Sequence, residues 1–133
     1  MKEIRAHRTE SRPPISDFDG IPFPDRTLID SEKYNRYIGQ AMVKNCMALQ
    51  ATRGCPYRCL YCFKIWANKH VARSAENLLE EIKPFYEIGV SRFSFIDDVF
   101  NLNMKNSSRF FELIIKNNIN AQFFFPAGLR GIY

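Results

Sequence analysis

The feature that most constrains this chain is a repeated order of short apolar runs and amphipathic segments, with no two-residue turn that would fold one run back on the next. The run at 46–52, "CMALQAT", is short, apolar and closed by Gly54, and suits a buried strand better than a helix. Ser74 is a good N-cap and Glu76 sits in the first turn. Leu78, Ile82 and Phe85 then recur at spacings of four and three up to Gly89, which predicts a helix. Pro84 lies inside it, removes one backbone hydrogen bond, clashes with the carbonyl of Glu80 and predicts a kink. "SRFSFIDD" reads as a second strand, ending on two carboxylates. Ser107 or Ser108 is expected to cap a second helix with Phe110, Leu113 and Ile114 inward, ending at Asn117 and Asn118. A third strand is expected over 121–125, stopped by Pro126 and Gly128.

Strands that alternate with helices of this length predict right-handed βαβ units and a parallel sheet, hence an α/β fold. In such sheets ligands collect beyond the carboxyl ends of the strands. Three features fall there: the segment "RGCPYRCLYCF" after the first strand, Asp97 and Asp98 after the second, and "PAGLR" after the third. Residues 1–30 are different in kind. "SRPPISDFDGIPFPDR" holds four of the seven prolines, which reads as an extended linker or arm on a surface, with Tyr34, Tyr37 and Ile38 pinning its end. At 133 residues the chain is long enough for one domain with a core, and its 12 Phe and 6 Tyr make the apolar fraction unusually aromatic.

The first twelve residues hold no apolar stretch of the kind a secretory signal needs, and no apolar run approaches the roughly 18 residues of a membrane span. The chain is therefore read as cytoplasmic, a reducing compartment in which clustered cysteines are ligands or redox groups rather than disulfides. Residues 33–75 carry eight Lys or Arg and no Asp or Glu. That stretch is either a solvated cationic face or nucleic-acid patch, or it faces something anionic held by the cysteines it surrounds.

Cys55, Cys59 and Cys62 are spaced C-x3-C-x2-C, and no fourth ligand follows. Structural zinc wants four ligands, and the remaining candidates are Cys46, His7 and His70. A thioredoxin-like pair could use Cys59 and Cys62, but leaves Cys55 unexplained. An iron–sulfur cubane held by three thiolates would keep one iron open for a small molecule. Cys46 reads as a small buried hydrophobe, Trp66 as a packing anchor, and His70 and Arg130 as surface residues.

With Tyr61 before the last cysteine and the loop directly after a first strand, the triplet resembles the motif of the radical S-adenosylmethionine (radical SAM) superfamily. The resemblance implies a 4Fe-4S cluster on Cys55, Cys59 and Cys62. It also implies S-adenosylmethionine (SAM) chelated at the open iron and cleaved reductively to a 5′-deoxyadenosyl radical, and an electron donor such as flavodoxin or ferredoxin. It carries Tyr61 to the adenine, and Asp97 and Asp98 to the SAM amino group. Relatives often have two glycines and a glutamate there, and the glycines are absent from this chain. Arg53, Arg58 and Lys64 would then ease cluster reduction and attract the SAM carboxylate.

Further stretches, "DFDGIPFPDRTLID", "EKYNRY", "RSAENLLEEI" and "FSFIDDVFNLN", resemble the central part of the cobalamin-binding branch, which includes methyltransferases and cyclases. On that resemblance residues 1–30 are the connecting arm and 31–133 the N-terminal part of a radical SAM barrel, with cobalamin usable only through a missing domain. Three strands, in a chain shorter than the roughly 200 residues at which full barrels begin, make it a truncated barrel. A missing segment or partner chain would then supply the rest. No nucleic-acid partner and no membrane segment are expected. The alternatives are a small zinc-binding module and a catalytically inactive iron–sulfur remnant.

Overall fold

A computed structural model of the protein describes residues 9–10, 12–13, 15–30, 33, 43–63 and 68–131. Tyr34, Tyr37, Ile38, Lys64 and Trp66, singled out above, lie outside the described residues.

Among the described residues five strands and two long helices follow one another: β1 (Met47–Leu49), β2 (Thr52–Arg53), β3 (Val71–Ala72), α1 (Ala75–Glu87), β4 (Arg92–Phe95), α2 (Met104–Lys116) and β5 (Gln122–Phe124). β1, β4 and β5 form a parallel sheet in that order, with Met47 opposite Phe93, Leu49 opposite Phe95 and Phe93 opposite Phe123. Because side chains alternate along a strand, this register lines Met47, Leu49, Phe93, Phe95 and Phe123 on one face. Both helices pack there, burying Leu78, Ile82, Phe110 and Ile114 in the same cluster, and they also touch each other. A sheet whose strands follow sequence order, with both of these helices on one face, is wound like a barrel; a doubly wound sheet would reverse its order and place helices on both faces. The fold is α/β, with the winding of part of a barrel. The other face, with Ala48, Ser94 and Phe124 at the same register, is the side a barrel would turn inward.

The aromatic composition is used in this core. Phe95 stacks on Phe125 at 5.3 Å and meets Phe110 edge-on at 5.6 Å, while Phe100 lies 4.7 Å from Phe95. Each such ring removed from water contributes about 2–3 kcal/mol, and good ring pairs add up to about 1 kcal/mol more.

The helices begin where side chains satisfy their first amides. Ser74 accepts from the amide of Asn77, as expected, and Asn103 accepts from the amide of Asn106. The second cap corrects the expected Ser107 or Ser108: the helix starts one turn earlier, and Ser107 is buried inside it with its hydroxyl on the carbonyls of Asn103 and Met104. Asn106 explains the shift. Its side chain accepts from Ala75 N and donates to the Arg73 carbonyl, fastening the start of α2 to the start of α1. Beyond the caps, α1 runs through Pro84, and α2 ends with Asn118 in the left-handed region at φ 53°.

The expected first strand is also corrected. The chain pairs in the parallel sheet only over 47–49, breaks at Gln50 and Ala51, and then enters a separate antiparallel ladder in which Thr52 faces Ala72 and Arg53 faces Val71. The order of strands therefore includes a small hairpin that no turn signal announced.

Residues 15–30 lie along the outer edge of β1. Leu49 O accepts from Ile96 N across the β1–β4 ladder, so the carbonyl of Ala48 points to the open side, where Arg26 donates to it. Arg26 also reaches Glu81, a buried carboxylate of α1 that binds Arg73 as well. Asp19 accepts from Ser74 N, and Phe18 and Phe23 lie under the guanidiniums of Arg53 and Arg73.

Candidate metal centre

The β2–β3 ladder is the neck of a loop, residues 54–70, that carries all three clustered cysteines. A further bond from Arg73 N to Ala51 O lengthens the neck, and Gly54, at φ 86°, turns the chain out of it. Cys55, nearest the neck, is half-buried; Cys59 and Cys62 are exposed and joined across a turn by Cys62 N donating to Cys59 O. Leu60, Tyr61 and Phe63 are almost wholly exposed beside them, an unusual run of uncovered apolar side chains.

All four cysteines are thiols, so the triplet is not bridged. Among the described residues no three His, Cys, Asp or Glu side chains are gathered closely enough to hold a metal ion. The structure thus puts the three donors on one tethered loop without drawing them together. The donor chemistry still fits a cluster: three soft thiols, no competing disulfide, a loop fixed at both ends, and two of the three open to an incoming inorganic core. Cys46 stands apart before β1, half-buried, with burial raising its thiol pKa.

Asp97 is placed under the neck. It is buried, and its Oδ1 accepts from the amides of Ala51 and Thr52, the two residues at which the chain leaves the parallel sheet. Its Oδ2 is buried with no hydrogen-bond partner among the described residues. Burial pushes its pKa up to about 6 against the pull of those amides, and the charge of Asp98 adds to the rise. Asp98 and Tyr61 are exposed, so the structure separates the three proposed cofactor contacts into one buried support and two surface groups. Val99 completes the support: its carbonyl accepts from Thr52 Oγ1 on one side of the neck and lies 3.3 Å from His70 Nε2 on the other. His70 is accordingly half-buried rather than a surface residue.

Sequence reasoning missed a second tie to the loop. Asn101 Oδ1 accepts from Arg130 N at 2.8 Å and Asn101 Nδ2 donates to Arg130 O at 2.9 Å. The Arg130 guanidinium lies 4.9 Å from the centre of the Tyr57 ring, between Cys55 and Cys59. The only signals were an asparagine in "NLN" and the arginine that ends "PAGLR", which reads as a surface residue. Arg58 is exposed, and Arg53 lies in the neck against Phe18 and Gln50.

Residues 49–130 match the radical SAM superfamily, from β1 through the cysteine loop to Arg130. The chain belongs to the radical SAM superfamily, a family of enzymes. Over 99 residues it is 31% identical to an uncharacterized methyltransferase of Pyrococcus horikoshii, a match covering 72% of this chain and 20% of that protein. It is 24% identical over 103 residues to the hopanoid C-3 methylase of Methylococcus capsulatus, covering 76% of the chain and 19% of the relative. An uncharacterized methyltransferase of Synechocystis is 28% identical over 102 residues, with 74% and 17% covered. Relatives named as methyltransferases agree with the resemblance to a branch that includes methyltransferases. The chain spans about one fifth of the length of these relatives. No solved structure matches it significantly. No helix among the described residues is long and apolar enough to cross a membrane.

Proposed function

We propose that Cys55, Cys59 and Cys62 hold a 4Fe-4S cluster at the carboxyl end of the parallel sheet and that the chain is the start of a SAM-cleaving barrel. On this reading residues 1–30 are its arm and 31–133 the barrel portion. The observation that carries it is the placement of all three thiols on one loop whose β2–β3 neck rises past the carboxyl end of β1, where a parallel sheet collects its ligands. When bound, such a cluster supplies the electron that cleaves SAM to methionine and a 5′-deoxyadenosyl radical.

Each residue then has a separable task. The β2–β3 neck and Asp97 fix the base of the loop, so the thiols meet the cluster from a defined origin. Tyr61, uncovered here, is the ring that covers the adenine, and burial of Leu60 and Phe63 against cofactor or neighbouring protein would keep water from the open iron. Asp98, exposed past β4, accepts from the SAM ammonium, with Asp97 presenting only its second oxygen. Arg58 and Lys69 form a cationic approach for an acidic electron donor of the flavodoxin or ferredoxin kind. The named relatives point to methyl transfer as the outcome, with cobalamin held by a separate domain. The protein is read as cytoplasmic.

Anaerobic reconstitution with iron and sulfide tests the reading. Roughly four irons per chain, lost on replacing any of Cys55, Cys59 or Cys62 by Ala but not Cys46, are expected, with 5′-deoxyadenosine formed under dithionite. Stoichiometric zinc in place of iron would overturn it. A cluster that forms without yielding 5′-deoxyadenosine would leave an inactive cluster-binding remnant.

A further inference from the structure

The loop after β5 returns to the cysteine loop, and the contact is built from both sides. Asn101, in the turn between β4 and α2, pairs with the backbone of Arg130 as donor and acceptor at once, which fixes where the arginine side chain starts. Its guanidinium then lies against Tyr57, the middle residue of the C-x3-C segment. Tyr57 is half-buried although Arg58, Cys59 and Leu60 after it are exposed, so the ring is held while its neighbours are not. Residues 53–63 contain no carboxylate that would draw the arginine into an ion pair. The contact therefore joins the connections after β2, β4 and β5, and does so at the cysteine loop.

We propose that Arg130 is a positioning residue for the cysteine loop: anchored by Asn101, it latches Tyr57 and so restrains the spacing of Cys55 and Cys59. It also brings a fixed cation to a loop whose thiolates would concentrate negative charge. The role in holding iron rests on the cluster proposed above; the contact itself does not.

The test uses the full chain and the variants Arg130→Gln, Arg130→Lys, Asn101→Ala and Tyr57→Leu, with thermal melting to show that each is folded. In metal-free protein, NMR should show Arg130 side-chain protons shifted upfield by the Tyr57 ring, and Tyr57→Leu should abolish the shift. In reconstituted protein the rate at which a chelator strips iron is followed by visible absorbance. Arg130→Gln, Asn101→Ala and Tyr57→Leu should each lose iron roughly threefold to tenfold faster. The Arg130→Gln, Tyr57→Leu double variant should be no faster than either single, and Arg130→Lys should stay close to the parent. A parent chain that binds iron while Arg130→Gln is stripped at the parental rate overturns the latch alone. A parent chain that takes up no iron overturns the cluster reading, and the role of Arg130 with it, even where the ring shift is seen.

Discussion

Asp97 sets one carboxylate oxygen on two backbone amides and leaves the other buried with no hydrogen-bond partner among the described residues; the amides favour the charged form, but burial outweighs them and favours the protonated one. With its folded pKa raised to about 6, above an unfolded value near 4, the native state binds the extra proton more tightly. Its contribution to stability is therefore present below about pH 4 and is lost as pH rises through about 6, amounting to as much as about 3 kcal/mol. Asp25 and Glu76, whose pKa values are lowered by hydrogen bonds, change stability in the opposite direction. The difference between parent and Asp97→Asn isolates the buried group: denaturant melts from pH 4 to 7 should show a downward slope in the parent that the variant lacks. Asp97→Ala, which strips two buried amides of their acceptor, should cost about 2–4 kcal/mol at pH 7. At the loop, Arg58→Gln should make the reconstituted cluster harder to reduce, read as a more negative midpoint in a redox titration; an unchanged midpoint would show that this exposed cation is not felt by the cluster.

Pro84 sits within α1 at an exposed position, where its ring displaces the bond to Glu80 without disturbing the buried face. Pro84→Ala should raise stability by about 1–3 kcal/mol, measured as the denaturation midpoint, and leave the cysteine loop unaffected. The elements differ in how far they could be read from the chain alone, and the reason is where their determinants lie. Helix α1 was legible because Ser74, Glu76 and the spacing of Leu78, Ile82 and Phe85 are all local. The start of α2 was not, because Asn103, Ser107 and Ser108 can all cap a helix, and the choice among them is made by Asn106 binding Arg73 and Ala75 in the neighbouring helix. The division of 46–53 into β1 and β2 is imposed by Asp97, more than forty positions away, which takes the amides of Ala51 and Thr52 out of any sheet. The cysteine triplet was legible as spacing. The neck that carries it, and the Arg130 contact that holds it, depend on pairings across the fold that leave no local pattern.

In the molecule as a whole, the two edges of the parallel sheet are treated differently. The β1 edge is covered by the arm through Arg26, which ties Ala48 and Glu81 to the same guanidinium, whereas β5 has a strand neighbour only on its β4 side among the described residues. Glu81 holds both the arm and Arg73, which precedes α1 and continues the neck. Glu81→Gln leaves two guanidiniums without their buried counter-ion and should cost about 3–5 kcal/mol, seen in denaturant melts. Loosening the arm without removing a buried charge, as in Phe23→Ala, should cost about 1–2 kcal/mol.

On the proposed function the three cysteine sulfurs would ligate all but one iron of a cubane, and SAM would dock at the remaining iron. Electron paramagnetic resonance of the reduced, reconstituted full chain, recorded before and after adding SAM, probes that iron directly. A cluster signal is expected whose g-values and line shape change on addition of SAM and that is absent when Cys59 is replaced by Ala. A signal left unchanged by saturating SAM, or one that persists in the Cys59→Ala chain, would contradict it.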